Sequence, residues 1–389
     1  MPAALLGSIV RCDSGPMTTS SESTRSLDLV SAPARVAEPD EAISYEELQL
    51  AARNHGILLE ALAYDITPPG LHYLLTHYDV PVVDADSWRL RIGGRVRRPI
   101  ELGLPDLQAM APTSVTVTFE CAGNGRARHR PRPQSQPWLV EAVGNATWTG
   151  VPLAVLLEKA GVLDDAVDVV FTGADHGVER GVEQDYARGL TVTDASADDV
   201  LVAYLMNGQP LPPQHGFPAR LVVPGWYGMA QVKWLVDIDV VAQHFDGFQQ
   251  RAYSLRSAPD EAGEPLTRIE PRALLIPPGL PDFYSRQRAV RPGPVVVEGR
   301  AWSGHAPVTR VELTTDAGAT WIEAQLHDTA AGPYAWRRWQ AGWDAQPGDH
   351  LLSARAHDAS GRSQPVDAAW NRGGFANNSV QRVRVLCLD

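Results

Sequence analysis

Hydrophobic and polar positions follow three rhythms along this chain. Up to about residue 40, runs such as "SGPMTTSSESTRS" carry Ser, Thr, Ala and Pro with few large apolar side chains. Such a composition buries too little apolar surface to offset ordering, so it predicts a disordered tail over 1–40. In "SYEELQLAARNHG", Leu48, Ala51, Ala52 and Ile57 make a rough helical stripe behind Ser44, a suitable cap. From 88 to 240 the period shortens and varies. "WRLRIGG" and "VTVTFE" alternate like strands and "DVVFTG" is strand-like, while "PLAVLLEKAG" reads as a short helix opened by proline and stopped by glycine. No regular βαβ series forms, and no phosphate loop or dinucleotide fingerprint is present. The pattern predicts a mixed α+β domain over 41–255.

The third rhythm follows "RSAPDEAGEPLTRIEPRALLIPPGLPD", a proline-rich polar stretch expected of a connection. Beyond it, "GPVVVEGRAW", "VTRVELTTDAGATW", "YAWRRWQAGW", "DHLLSARAHDASG" and "VQRVRVLCL" are short strands at close spacing, separated by Gly, Asp and Pro. They predict an antiparallel β-sandwich over 256–389. No internal repeat of fixed period occurs.

Composition narrows the function. With 389 residues the chain can bury a sizeable core in two or three domains, and its formal charge of -12 excludes a general nucleic-acid or anionic-membrane binder. A local basic pocket for a small anion stays possible. The three cysteines, Cys12, Cys121 and Cys387, are odd in number and lack metal-ligand spacing. A disulfide framework is therefore not expected and a reducing compartment is. No stretch approaches the roughly 18–20 apolar residues of a membrane span, and the apolar start has no basic segment before it. Cytoplasm is the expected location.

Two constellations carry candidate chemistry. In "TFECAGNGR", Cys121 closes a strand-like run and opens onto glycines, an asparagine and Arg126. A buried structural cysteine, a nucleophile on a sharp turn, and a single thiolate ligand to a metal held mostly by a cofactor all fit this stretch. In "NGQPLPPQHGFPARLVVPGWYGMAQVKWL", His215, Arg220 and Lys233 stand among prolines and glycines in an otherwise apolar run. Three potential cations in an acidic protein point to an anion site, with phosphate the natural occupant.

Together, "ECAGNGR" and "AYLMNGQPLPPQHGFPARLVVPGWYGMAQVKWL" resemble the sulfite oxidase family of molybdopterin oxidoreductases. "RAWSG", "VTRVELTTDAGATW" and "WNRGGFANNSVQRV" resemble that family's immunoglobulin-like dimerisation domain, and the resemblance runs from about residue 65 to 386. It implies a mixed α/β molybdopterin-binding domain followed by that sandwich. Cys121 would be the protein ligand to molybdenum, and His77, His215, Arg220 and Lys233 would hold the pterin cofactor. Arg126, Trp138 and Tyr186 would line the substrate position, with the loop after Tyr186 shortened and Thr191 in place of a proline. The implied activity is oxo transfer to a small oxyanion, sulfite in the family, with electrons passed to an external acceptor and the protein a homodimer. Two positions depart from the pattern. Leu75 and Gly373 stand where the family places arginines, and Arg372, displaced by one, is the substitute expected for the second. A neutral S-oxide or N-oxide reduced at the same centre is the alternative these departures favour. A catalytically silent dimeric binding protein is the lesser one.

Overall fold

The computed structural model describes Leu27, residues 35–328 and residues 331–389. Most of the tail expected over 1–40 lies outside the described residues, as does Cys12. The part of it that is described, 35–40, is tied down: the Ala37 amide donates to the Arg132 carbonyl at 2.7 Å, and Val36 bridges Pro133. The helix Tyr45–Arg53 begins as its cap demands. The Ser44 hydroxyl accepts from the Glu47 amide, and the Glu47 carboxylate accepts from the Ser44 amide. Its apolar stripe is a different matter. Leu48, Ala51 and Ala52 face solvent, and Ile57 lies beyond the helix. The helix is held instead by Glu47, 2% exposed, which takes both Nε and Nη2 of Arg132 at 3.0 Å. A bidentate buried pair has replaced the hydrophobic face as the docking contact.

Ten strands occupy residues 90–241: β1 (Leu90–Gly94), β2 (Ile100–Leu102), β3 (Thr113–Glu120), β4 (Val143–Pro152), β5 (Asp168–Glu179), β6 (Val182–Thr191), β7 (Leu201–Met206), β8 (Gln209–Pro210), β9 (Arg220–Val222) and β10 (Leu235–Val241). They make two sheets. One has the order β2-β1-β10-β5-β6, with β1 and β10 parallel and the remaining pairs antiparallel. In the other, β3-β4-β7-β8 with β9 on β7, every pair is antiparallel. The helix Leu153–Ala160, with Pro152 as N-cap and left-handed Gly161 as C-cap, buries Leu153, Leu156, Leu157 and Ala160. Those side chains share one core with Leu90, Ile92 and Phe171 of the first sheet and Val202 and Leu221 of the second. Every strand seen in the sequence pattern is present.

Residues 272–387 form two further sheets. In the first the order is 272–275, 293–302, 337–345 and 325–326. In the second it is 280–281, 288–290, 383–387, 348–358, 308–314 and 322–323, with 288–290 and 383–387 parallel. Val297, Val311, Leu313, Trp339, Leu352 and Val385 fill the core. The stretch read as a simple connection contains a strand, Arg272–Leu275, all four residues of which are buried. Arg272 explains why a charged residue lies there: its guanidinium reaches Glu120 at the end of β3, both side chains being 1% exposed. Among the described residues no helix is long and apolar enough to cross a membrane.

Candidate active site

Where β3 ends, the chain turns sharply and presents Cys121. The Cys121 amide donates to the Ala142 carbonyl at 2.9 Å, and the Asn124 amide closes the turn on the Cys121 carbonyl at 2.9 Å. Asn124 locks it with its side chain, donating to Glu120 Oε1 and the Val140 carbonyl and accepting from the Ala142 amide. Arg126 then folds back over Gly123. A Cβ at 123 would collide with the guanidinium, so this approach requires glycine. Arg126 is 5% exposed; its Nε donates to the Gly373 carbonyl at 2.9 Å and its Nη1 to the Gln136 carbonyl at 3.0 Å. Burial pushes the Cys121 thiol up, and the Arg126 charge opposes that shift. The Trp138 indole N–H stands beside the sulfur without a well-formed hydrogen bond to any atom. The tryptophan and the arginine thus form the back of the cysteine.

In front of Cys121 opens a cleft of about 640 Å³, solvent-side space included. One flank is cationic. Arg220, 4% exposed, stacks over Trp148 at 4.7 Å and Phe119 at 5.1 Å and donates to the carbonyls of His215 and Gln231, both at 2.9 Å. Lys233 Nζ donates to the carbonyls of Leu75 at 2.9 Å and Gln214 at 3.1 Å. His215 and His72 meet edge to face at 5.4 Å, and His72 Nε2 is buried without a hydrogen-bond partner. Neither Arg220 nor Lys233 forms an ion pair with a carboxylate among the described residues. Burial holds Lys233 down to about 7 and Arg220 to about 10, and it lowers both histidines. Two buried cations gathered this way, with Asp175 the one carboxylate lining the same cleft, suit a small anion.

The other flank is aromatic. His77 Nε2 and the Tyr253 hydroxyl are 2.9 Å apart, and the His77 ring lies 4.8 Å from that of Tyr186. The Tyr186 hydroxyl donates to the Met229 carbonyl at 2.7 Å. Asp175 closes this side; it is 5% exposed with Oδ1 unpartnered, and burial raises its carboxyl to about 6.

Of the residues singled out in the sequence, His77, Cys121, Tyr186, His215, Arg220 and Lys233 all line this one cleft. Arg126 and Trp138 pack behind the sulfur. Arg372 does not join them: its amide donates to the Arg256 carbonyl, and its side chain makes no hydrogen bond or ion pair among the described residues. Leu75 is part of the wall. Gly373 supplies the carbonyl that anchors Arg126, and a Cβ there would collide with the Phe375 ring. Three residues of the site escaped sequence reasoning: Glu120, Asp175 and Tyr253. Tyr253 follows "FQQRA" in a stretch with no chemical signal of its own.

A molybdopterin cofactor fits these residues. One thiol is presented at a rigid turn, a cationic flank could hold a phosphate, and a buried carboxylate oxygen of Asp175 has no hydrogen-bond partner among the described residues. Comparison with known proteins agrees. Residues 77–249 match an oxidoreductase molybdopterin binding domain, and residues 283–387 match a Mo-co oxidoreductase dimerisation domain. The sulfite oxidase of Gallus gallus is 35% identical over 337 residues, covering 82% of this chain and 72% of that protein. That of Arabidopsis thaliana is 32% identical over 346 residues, covering 82% and 87%. The mitochondrial sulfite oxidase of Rattus norvegicus is 33% identical over 345 residues, and the match spans 61% of its length. Among solved structures, the sulfane dehydrogenase SoxCD from Paracoccus pantotrophus superposes with a TM-score of 0.75 at 26% identity, covering 95% of this chain and 92% of that one.

Proposed function

Because this chain belongs to the sulfite oxidase family of molybdopterin oxidoreductases, we propose that it oxidises a small sulfur oxyanion, sulfite being the substrate to test, and passes the electrons to an external acceptor. The observation that carries the proposal is the cleft itself: Cys121 faces a cavity whose charged lining is mainly cationic, with Arg126 directly behind the sulfur. Molybdenum–molybdopterin, when bound, supplies the oxygen-atom and two-electron chemistry. Cys121 would ligate the metal. His215, Arg220 and Lys233 would hold the phosphate through charge-assisted hydrogen bonds, with His72 beside them.

The remaining residues prepare the site for an anion. Arg126 cannot turn away, since two backbone carbonyls fix its guanidinium, and it contributes a steady positive potential next to the reacting position. Trp138 offers its N–H to the sulfur once the thiol is ionised. Proton handling falls to Tyr253 rather than Tyr186. The Tyr186 proton is committed to the Met229 carbonyl, whereas the Tyr253 hydroxyl is coupled to an imidazole that can accept or return a proton.

Leu75 favours the second reading, reduction of a neutral S-oxide or N-oxide, because it places an alkyl group where the family carries a charge. We further read 41–255 as the cofactor domain and 256–389 as an immunoglobulin-like unit through which two copies associate. Cys121 and Cys387 are free, which supports a cytoplasmic location. The test is sulfite-dependent reduction of an artificial electron acceptor by protein of verified molybdenum content. Saturable turnover at micromolar sulfite supports the first reading. No turnover from molybdenum-replete protein removes it and leaves oxide reduction.

A further inference from the structure

One buried cation plays no part in the scheme above. Arg188 lies on β6 two residues beyond Tyr186, so strand alternation turns both side chains to the same buried face. It is 2% exposed, its Nε has no hydrogen-bond partner, and it forms no ion pair with a carboxylate among the described residues. Its Nη1 donates to the Gln249 carbonyl at 2.7 Å. Gln249 belongs to the short helix Phe248–Ala252, and Tyr253 is the residue on which that helix ends. The guanidinium carbon also stands 5.8 Å from the centre of the Tyr253 ring, within cation–π range. Arg188 therefore grips Tyr253 twice, through the helix that delivers it and through its ring. Neither nearby acid, Asp175 or Glu179, pairs with Arg188; Glu179 accepts instead from Gln249 Nε2 at 2.9 Å.

An arginine is costly to bury without a counter-ion, and surrounding apolar groups would serve a purely structural role better. This one sits behind the tyrosine wall of a cleft that lacks charge at 75 and 373. We infer that Arg188 is a positioning residue for an anionic substrate: it holds Tyr253 against the cleft and supplies a fixed positive charge one side chain behind the wall. The inference rests on the oxyanion reading of the site and extends it to a residue that touches neither substrate nor cofactor.

Sulfate, an unreactive oxyanion, is the probe. Calorimetric titration into molybdenum-loaded wild type, R188K and R188M is run beside steady-state sulfite kinetics. We expect sulfate binding to weaken about tenfold in R188M and no more than about threefold in R188K, with the KM for sulfite rising in the same ratios and kcat falling less. Unchanged sulfate affinity and sulfite KM in R188M would overturn the inference. Equal weakening by Lys and Met would do so too, because charge would then not be the cause. Where R188M does not fold, R188Q replaces it: it can still reach the Gln249 carbonyl but carries no charge, and it must weaken sulfate by the same tenfold. Wild type that neither binds sulfate nor oxidises sulfite removes the oxyanion reading itself, a result distinct from a wild type that binds and an R188M that binds equally well.

Discussion

Replacing Glu120 by Gln changes a single heavy atom and should still cost this protein much of its stability. Glu120 is the last residue of β3 and the neighbour of Cys121, and it is 1% exposed. Oε1 stands 2.7 Å from Arg272 Nε and accepts from Asn124 Nδ2 at 3.1 Å; Oε2 accepts from Trp302 Nε1 at 2.7 Å. The Arg272 contact is a close ion pair whose N–H is poorly aligned, so charge rather than hydrogen-bond geometry supplies the attraction. A glutamine keeps the shape and one acceptor oxygen. It turns an amide nitrogen toward a donor and leaves Arg272, also 1% exposed, with only the Asn377 carbonyl. Removing one partner of a buried pair costs about 3–5 kcal/mol, a large share of the roughly 5–15 kcal/mol that holds a folded protein together. The assay is urea unfolding of molybdenum-loaded protein, comparing E120Q, R272M and the double variant. We expect E120Q to lose about 3–5 kcal/mol and the double variant to recover much of it, since no lone charge then remains buried. A loss under about 1 kcal/mol, or a double variant no better than E120Q alone, would refute the argument that this pair ties the cysteine turn to the strand Arg272–Leu275.

Three further outcomes follow from the cleft. Lys233 carries a folded-state pKa near 7 against an ordinary 10.5, so between those values the unfolded chain of cofactor-free protein binds one more proton than the folded one. Its contribution to stability therefore rises with pH from about 7 upward and is flat below; unfolding midpoints of wild type should gain on those of K233M between pH 7 and 9.5, and parallel curves would contradict this. Tyr253→Phe should lower kcat by about tenfold or more, within the range of lost proton-transfer assistance, while Tyr186→Phe leaves kcat nearly unchanged and lowers the melting temperature; stopped-flow turnover of both decides. Leu75→Arg should lower the KM for sulfite by about ten- to a hundredfold, the worth of one charge-assisted hydrogen bond of roughly 1.5–3 kcal/mol. Gly373→Arg should not lower it, because its Cβ would meet the Phe375 ring.

That asymmetry between two similar departures shows what the sequence could carry and what it could not. Local relations were legible. The Cys121 turn, the Ser44 cap, the Pro152–Gly161 bounds of one helix and the spacing of His215, Arg220 and Lys233 each depend on residues a few places apart, and each stands in the structure as read. Relations across the fold were not. Arg272 lay inside a stretch whose prolines spelled connection, and only distant partners, the strand 293–302 beside it and Glu120 across from it, make that stretch a buried strand. Tyr186 and Tyr253 were equivalent as letters; the Met229 carbonyl beside one and the His77 imidazole beside the other separate their chemistry. Leu75 and Gly373 both read as a missing arginine. In space Leu75 borders the open cleft, whereas Gly373 abuts Phe375, which is packed between Arg126 at 5.2 Å and Tyr253 at 5.0 Å. The first position lacks the charge that the resemblance implies, and the cleft could still admit one. At the second, an aromatic ring occupies the room that a longer side chain would need, and the glycine carbonyl has become an anchor for Arg126. Restoring the family's charge at 373 would therefore disturb the arginine that remains, and the route back to a more cationic pocket runs through position 75 alone.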